Sequence, residues 1–123
     1  NMIEEIQKAC RETGQLVPES MGELVMAVYS NLAKAYGREL KQLEALTGQT
    51  IDYLHIVGGG SNVSLLNQLT ANVIGKEVIA GPGEATAIGN ILVQMIATGE
   101  FENISQARKW LASTSHLEHY KPQ

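Results

Sequence analysis

Residues 52–60 read DYLHIVGGG, so a β-branched and aromatic run passes directly into three consecutive glycines. Such a run predicts a buried strand, and the glycines predict a loop at its carboxyl end. A helix is predicted to follow over Ser61–Ile74, and a short second strand over Glu77–Ala80. Strand, helix and strand over this distance form a βαβ unit, whose two strands we expect to be parallel.

Helices are predicted before and after this βαβ unit in the sequence. Apolar residues at helical spacing predict a short helix over Ile3–Thr13 and a long one from Glu19 to Gly48. After the second strand, helices are predicted over Glu84–Thr98 and Asn103–Ala112, and the first of these is apolar enough to be buried on most sides. Beyond them, from Ser113, the sequence shows no clear pattern.

The whole chain, residues 1–123, is predicted to form one domain because it is too short for two. Hydrophobic residues make up 44% and charged residues 18%, which predicts a packed core rather than disorder. However, only two strands are predicted, and two strands make a poor sheet on their own. We therefore expect a helix-rich α/β piece of a larger domain whose other strands precede Asn1.

Charge and cysteine content argue against several classes of protein. The net charge of −4 argues against a nucleic-acid partner, which normally requires a basic face. No apolar run approaches the roughly 20 residues that span a membrane, and no secretory signal opens the chain. The single cysteine, Cys10, excludes an internal disulfide and is predicted to pack in the core. A soluble protein of a reducing compartment, the cytoplasm, is the expectation.

The glycine loop is the strongest candidate binding site. Glycines allow a ligand to approach the backbone, and the free N–H groups that open the following helix favour an anion. The pattern is neither G-x-G-x-x-G nor G-x-x-x-x-G-K-[ST], so it predicts neither a dinucleotide fingerprint nor a P-loop. Three consecutive glycines exceed what a tight turn usually requires, although a turn without a ligand remains the alternative interpretation.

Other polar residues give weaker signals. The only aspartate, Asp52, opens a predicted strand, so the chain is poorly supplied for phosphoryl transfer and we predict no catalytic residue in it. Glu84 is predicted to cap a helix, and His55 to be a partly buried histidine with its hydrogen bonds satisfied. His116 and His119 have the spacing of metal ligands but no companion ligand, so no metal site is predicted.

Four strings together resemble a known family. They are LHIVGGG at 54–60, LLNQL at 65–69, VIAGP at 78–82 and VPES at 17–20. This combination closely resembles the C-terminal lobe of the rhamnulokinases, a bacterial group of the FGGY carbohydrate kinases within the actin-like sugar-kinase superfamily. The resemblance extends over nearly the whole chain, from about residue 3 to residue 122.

The resemblance implies an RNase H-like lobe that holds the nucleotide of ATP, with Mg²⁺, in an enzyme that phosphorylates the 1-hydroxyl of L-rhamnulose. In that family the glycine loop meets the ribose and phosphates, and residues at the start of the next helix border the adenine. The implied nucleotide-binding residues are Gly58, Gly59, Gly60, Ser61 and Asn62. Many relatives have a polar residue where Val63 stands. Either Asn62 replaces that contact or the adenine is held less specifically.

The resemblance also implies what this chain lacks. The catalytic aspartate, the phosphate-binding loop and most sugar contacts would lie upstream, so we expect the chain alone to be inactive. Its expected partners are ATP, a ketose sugar, the N-terminal lobe and a second copy bound through uncovered apolar surface. Two alternatives remain at this point: a lobe of another FGGY kinase, for xylulose or fuculose, and a non-enzymatic helical interaction module.

Overall fold

A computed structural model describes all residues from 1 to 123. Five α-helices, one short 3₁₀ helix and three strands follow one another along the chain, which confirms a helix-rich α/β architecture. In chain order they are α1 (Met2–Glu12), α2 (Met21–Thr47), β1 (Tyr53–Ile56), the 3₁₀ helix (Gly59–Asn62), α3 (Ser64–Ile74), β2 (Glu77–Ala80), α4 (Ala85–Ala97), α5 (Ile104–Thr114) and β3 (Glu118–Tyr120).

The three strands form one mixed sheet in the order β1-β2-β3. β1 runs parallel to β2, with Ile56 opposite Ala80, so the predicted βαβ unit is confirmed. β3 runs antiparallel to β2 and places Glu118 opposite Ala80. The sequence showed no clear pattern from Ser113 onward and predicted only two strands, so it missed this third strand. β3 has only three residues, and the hydrogen bonds that define it come from β2 rather than from a local pattern.

The two faces of the sheet are covered differently. On one face, α2 and α3 pack together and α3 contacts β2, where Val78 and Ala80 are almost completely buried. On the other face, Tyr53 and His55 border a groove of about 780 Å³ whose far side is formed by α4 and α5. Tyr53 and His55 pair with residues 77 and 79 of β2, and neighbouring residues of a strand point to opposite faces, so they lie on the face away from Val78 and Ala80. The two helices α3 and α4 therefore lie on opposite sides of the sheet.

The close crossing of α2 and α3 depends on Gly37. This glycine is buried, and a Cβ built on it would lie 3.3 Å from Cγ1 of Val73 and 3.7 Å from Cγ2 of Ile74. A glycine inside a helix can mark a bend, but α2 runs without interruption from Met21 to Thr47. The missing side chain of Gly37 instead allows the two helices to approach each other.

The ends of α2 are set by local signals. Ser20 accepts a hydrogen bond from the backbone N–H of Glu23, and the Glu23 carboxylate accepts from the backbone of Ser20, which forms a capping box. Backbone N–H groups of Ser20 and Glu19 hold the pKa of Glu23 below its ordinary value. At the other end, Gly48 has φ +66° in a left-handed cap. The predicted bounds of this helix are confirmed to within two residues.

The most apolar helix, α4, is much more exposed than its composition predicts. Only Leu92 of α4 is buried, whereas Ile91 is 56% exposed and Val93 is 59% exposed. The prediction that α4 is buried on most sides was therefore wrong for this chain. Glu84 precedes the helix without a capping hydrogen bond. Glu84 thus occupies the predicted N-cap position, but its ψ of 40° departs from the extended backbone that lets a capping side chain reach back, so its carboxylate does not cap the helix.

Two further features complete the description of the fold. Cys10 is half-buried, beside Ile6 and Val28 in a shallow groove between α1 and α2, rather than in the core. None of the helices combines the length and the apolar character that crossing a membrane requires.

Candidate functional site

The glycine loop begins with an unusual backbone conformation. Gly58 has φ +75° and ψ −163°, a region that is essentially restricted to glycine. Its carbonyl oxygen accepts two hydrogen bonds from Ser61, one from the backbone N–H at 3.0 Å and one from Oγ at 2.7 Å. The chain then makes a 3₁₀ turn, and α3 begins at Ser64 rather than at Ser61 as predicted. The hydroxyl of Ser61 thus stabilises the turn.

Asn67, which the sequence did not single out, anchors this turn to α3. Its side chain is completely buried, and Nδ2 donates a 2.8 Å hydrogen bond to the carbonyl oxygen of Ser61. Oδ1 of Asn67 has no hydrogen-bond partner within the chain. An amide on the inward face of a helix was the only sequence signal that pointed to this role.

Gly59 and Gly60 differ from Gly58 because neither has a positive φ. A Cβ built on Gly59 meets no atom within 4 Å, and one built on Gly60 reaches only Cγ2 of Ile56 at 4.0 Å. The fold itself therefore does not require glycine at either position. Their bare backbone leaves open space at the carboxyl end of β1.

A second loop, which follows β2, is bonded to the glycine loop. The backbone N–H of Gly58 donates to the carbonyl oxygen of Pro82 at 3.0 Å, and that of Gly81 donates to Ile56 at 2.9 Å. Nε2 of His55 lies 2.5 Å from the carbonyl oxygen of Gly81, which confirms a hydrogen bond at one ring nitrogen. The residue is exposed, however, so the prediction that it is partly buried was wrong. The two loops therefore form one unit at the carboxyl ends of β1 and β2.

A cleft of about 220 Å³ opens between this pair of loops and the segment that leads into β3. It brings together two of the predicted residues with two that the sequence placed in an unpatterned tail. Its lining residues are Ser61, Asn62, Ser64, Ala80, Gly81, Gly83, His116 and Glu118. The side chain of Asn62 crosses Gly83, where a Cβ would lie 3.3 Å from both Oδ1 and Nδ2.

The position of the cleft in the sheet favours ligand binding. The helices that follow β1 and β2 leave the sheet on opposite faces, so a crevice opens outside the carboxyl ends of these two strands. Open α/β sheets bind their ligands at such a point. Oxygen and nitrogen atoms of Asn62, Ser64, His116 and Glu118 offer both donors and acceptors there.

The remaining titratable residues that the sequence singled out lie apart from the cleft. Asp52 directly precedes β1 whereas the glycine loop follows it, so Asp52 lies at the opposite end of this strand. His119 does not line the cleft, and its Nδ1 lies 2.9 Å from Oε1 of Glu77. No three His, Cys, Asp or Glu side chains cluster in a way that would hold a metal ion.

Comparison with known proteins gives this arrangement a family. Residues 2–98 match the C-terminal domain of the FGGY family of carbohydrate kinases, a match that includes both loops. The chain belongs to the FGGY family of carbohydrate kinases. The family resemblance that the sequence strings indicated is thereby confirmed.

Curated relatives of this FGGY chain include three rhamnulokinases. The chain is 54% identical to the rhamnulokinase of Ligilactobacillus salivarius, 52% identical to that of Lactiplantibacillus plantarum and 48% identical to that of Bacillus subtilis. These alignments cover 99% or more of the chain and 25% of each relative. The chain thus spans about a quarter of the length of the relatives it matches.

Proposed function

We propose that this chain is the nucleotide-binding part of a longer, ATP-dependent ketose kinase of the rhamnulokinase type, in a lobe with an RNase H-like fold. One observation carries the proposal: Gly59 and Gly60 have ordinary φ values and face open space, in the loop that a ligand would approach. The backbone conformation requires glycine at position 58, but it does not require glycine at positions 59 and 60. Approach of a ligand to the backbone explains all three.

Within this proposal the nucleotide lies along the carboxyl edge of the sheet. Gly58, Gly59 and Gly60 meet its ribose and phosphates, and Asn62 borders the adenine. Ser61 contributes by holding the turn, because its hydroxyl is already bonded to Gly58. This arrangement supplies positioning, which together with electrostatic stabilisation accounts for most of the catalysis in phosphoryl transfer.

The proposed reaction transfers the γ-phosphoryl group of ATP to the 1-hydroxyl of L-rhamnulose. A bond forms between that oxygen and the γ-phosphorus, the bond to the departing ADP oxygen breaks, and the hydroxyl proton passes to a base outside this chain. Mg²⁺ would enter with the nucleotide phosphates, since such ions are commonly held by phosphates and one or two carboxylates. The cytoplasmic location expected from the single cysteine forms part of the same proposal.

The direct test is Gly59→Ala in the full-length protein that carries this chain. We expect the KM for ATP to rise about tenfold, equivalent to about 1.4 kcal/mol of binding, with the KM for the sugar nearly unchanged. Gly22→Ala is the matched control, because Gly22 also has no positive φ and no atom within 4 Å of a built Cβ. Unchanged ATP kinetics in a folded Gly59→Ala variant would mean that the loop is only a turn.

The sugar is tested by comparing L-rhamnulose, L-fuculose and D-xylulose as substrates of the same full-length protein. We expect the highest kcat/KM with L-rhamnulose. A higher value with either of the others would assign the chain to another FGGY kinase, and no phosphorylation of any ketose would favour an interaction module. The 123-residue chain alone should show no turnover, and activity that Gly59→Asp abolishes would overturn that expectation.

A further inference from the structure

The segment 115–120, here called the C-terminal strap, closes one side of the candidate cleft. Because β3 runs antiparallel to β2, its first residue, Glu118, lies opposite Ala80 at the carboxyl end of β2. This register carries His116 and Glu118 to the same edge of the sheet as the glycine loop. Both residues line the cleft together with Asn62.

The strap is held in place by specific contacts. A Cβ on Gly81 would lie 3.3 Å from the carbonyl oxygen of His116, so the strap crosses the second loop where a glycine leaves room. Downstream of the strap, Nε2 of Gln68 donates a 2.8 Å hydrogen bond to the carbonyl oxygen of Lys121. The hydroxyl of Tyr120 donates to Oε2 of Glu118 and orients its carboxylate. The strap is thus a positioned wall of the cleft.

The strap lies outside the part of the chain that the family domain covers. The match to the FGGY C-terminal domain ends at residue 98, whereas the alignments with the rhamnulokinases of L. salivarius and L. plantarum extend over the whole chain. The wall formed by His116 and Glu118 therefore lies outside the residues that match the family domain.

We propose that the C-terminal strap is the outer wall of the nucleotide cleft and that Glu118 accepts a hydrogen bond from the nucleoside part of ATP. This inference rests on the proposed function. A carboxylate attracts hydrogen-bond donors and repels phosphate, so the uncharged nucleoside lies near Glu118 and the phosphates lie towards Gly59. The cleft volume of about 220 Å³ is below the range typical of whole-ligand pockets, which suits part of a nucleotide.

The test measures ATP kinetics of full-length variants at Glu118. Glu118→Leu removes the acceptor and should raise the KM for ATP about tenfold, whereas Glu118→Gln keeps an acceptor oxygen and should raise it less than about threefold. The KM for the sugar should stay unchanged in both variants. Glu100→Leu, at an exposed glutamate after α4, is the matched control and should leave both constants unchanged.

Two nucleotide analogues identify which group of ATP donates the hydrogen bond that Glu118 accepts. If the donor is the ribose 2′-hydroxyl, 2′-deoxy-ATP should bind the wild-type protein as weakly as ATP binds the Glu118→Leu variant. If it is the adenine amino group, inosine triphosphate should show this weakening instead. An equal loss of ATP binding in Glu118→Leu and Glu118→Gln, with no analogue effect, would contradict the hydrogen bond.

Failure of the inference is distinguishable from failure of the proposed function. If Gly59→Ala weakens ATP binding while a folded Glu118→Leu variant does not, the glycine loop binds the nucleotide and the strap is not its wall. If Glu118→Leu fails to fold, Tyr120→Phe frees the carboxylate without removing it and should raise the KM for ATP two- to threefold, by about 0.5 kcal/mol. An unchanged KM in Tyr120→Phe would then count against the inference.

Discussion

The completely buried side chain of Asn67 donates a 2.8 Å hydrogen bond to the carbonyl oxygen of Ser61. This contact joins α3 to the turn that follows the glycine loop, and Ser61 in turn donates twice to Gly58. The shape of the candidate site therefore depends on an amide in the core of the lobe.

Asn67→Asp should destabilise the chain, because it replaces the donating amide with an oxygen that faces the Ser61 carbonyl. We expect a loss of about 1–3 kcal/mol in the free energy of unfolding, the cost of a buried carbonyl left without its donor. Urea denaturation at neutral pH measures this loss. Asn72→Asp, at an exposed position of the same helix, is the comparison, and equal stabilities of the two variants would refute the anchoring role.

Neighbouring glycines of the loop should respond differently to alanine. Gly58→Ala should lower the free energy of unfolding by about 1–3 kcal/mol, because φ +75° with ψ −163° is strained for any residue with a Cβ. Gly59→Ala should change it by no more than about 1 kcal/mol. Thermal or urea unfolding of both variants checks this. A large loss from Gly59→Ala would show that the loop needs this glycine for folding.

Gly37→Leu should weaken the packing of α2 on α3. A Cβ at this site already lies 3.3 Å from Cγ1 of Val73, so a larger side chain must push the helices apart at a cost of about 1–3 kcal/mol. Gly22→Leu, in the same helix with no atom within 4 Å, should be neutral or slightly stabilising. Equal unfolding midpoints for the two variants would exclude close packing as the role of Gly37.

Glu44 should make stability depend on pH in the acidic range. Lys76 donates a 2.9 Å hydrogen bond to its carboxylate, and this bond together with the backbone N–H of Ile51 holds the pKa of Glu44 below its ordinary value of 4.5. The contribution is fully present above the ordinary pKa and is lost as pH falls through the lowered one.

The wild-type chain should therefore be more stable than Glu44→Gln at neutral pH, and the difference should shrink as the solution is acidified well below pH 4.5. Urea denaturation across this pH range provides the measurement. Glu39→Gln, on the same helix, is the control that should not reproduce the effect. A stability difference that stays constant with pH would rule out this linkage.

The 123-residue chain should associate in solution through its uncovered apolar surface. Only 15 of its 123 residues are buried, and one edge of β1 has no strand partner. Light scattering should give a mass above 13.3 kDa that rises with concentration. Val93→Lys, on the side of α4 that lines the groove, should reduce association, whereas Leu16→Lys, in an exposed connector, should not. A monomer at all concentrations would contradict this expectation.

Local patterns predicted most of the helices and strands, and they predicted where the glycine loop lies in the fold. The parallel βαβ unit, the ends of α2 and the position of the glycine loop all follow from residues that are adjacent in sequence. The spacing of apolar residues, the capping residues and the glycines at the ends of helices and strands each involve only a few neighbouring positions. These signals can therefore be recognised without knowledge of the fold. The four strings that resemble the FGGY family are also short runs of adjacent residues, and they predicted the FGGY membership that the comparisons confirm.

Contacts between distant residues were decided only by the tertiary structure. Ala80 and Glu118 pair across the sheet although nearly forty positions separate them in sequence. Because of that pairing, a segment without a clear sequence pattern lines the candidate cleft. The packing role of Gly37 depends on Val73, which lies beside it only in the folded chain. The composition of α4 suggested burial because composition does not reveal what covers a helix. Strand pairing, helix crossing and cleft walls depend on which surfaces meet, and only the folded chain determines that.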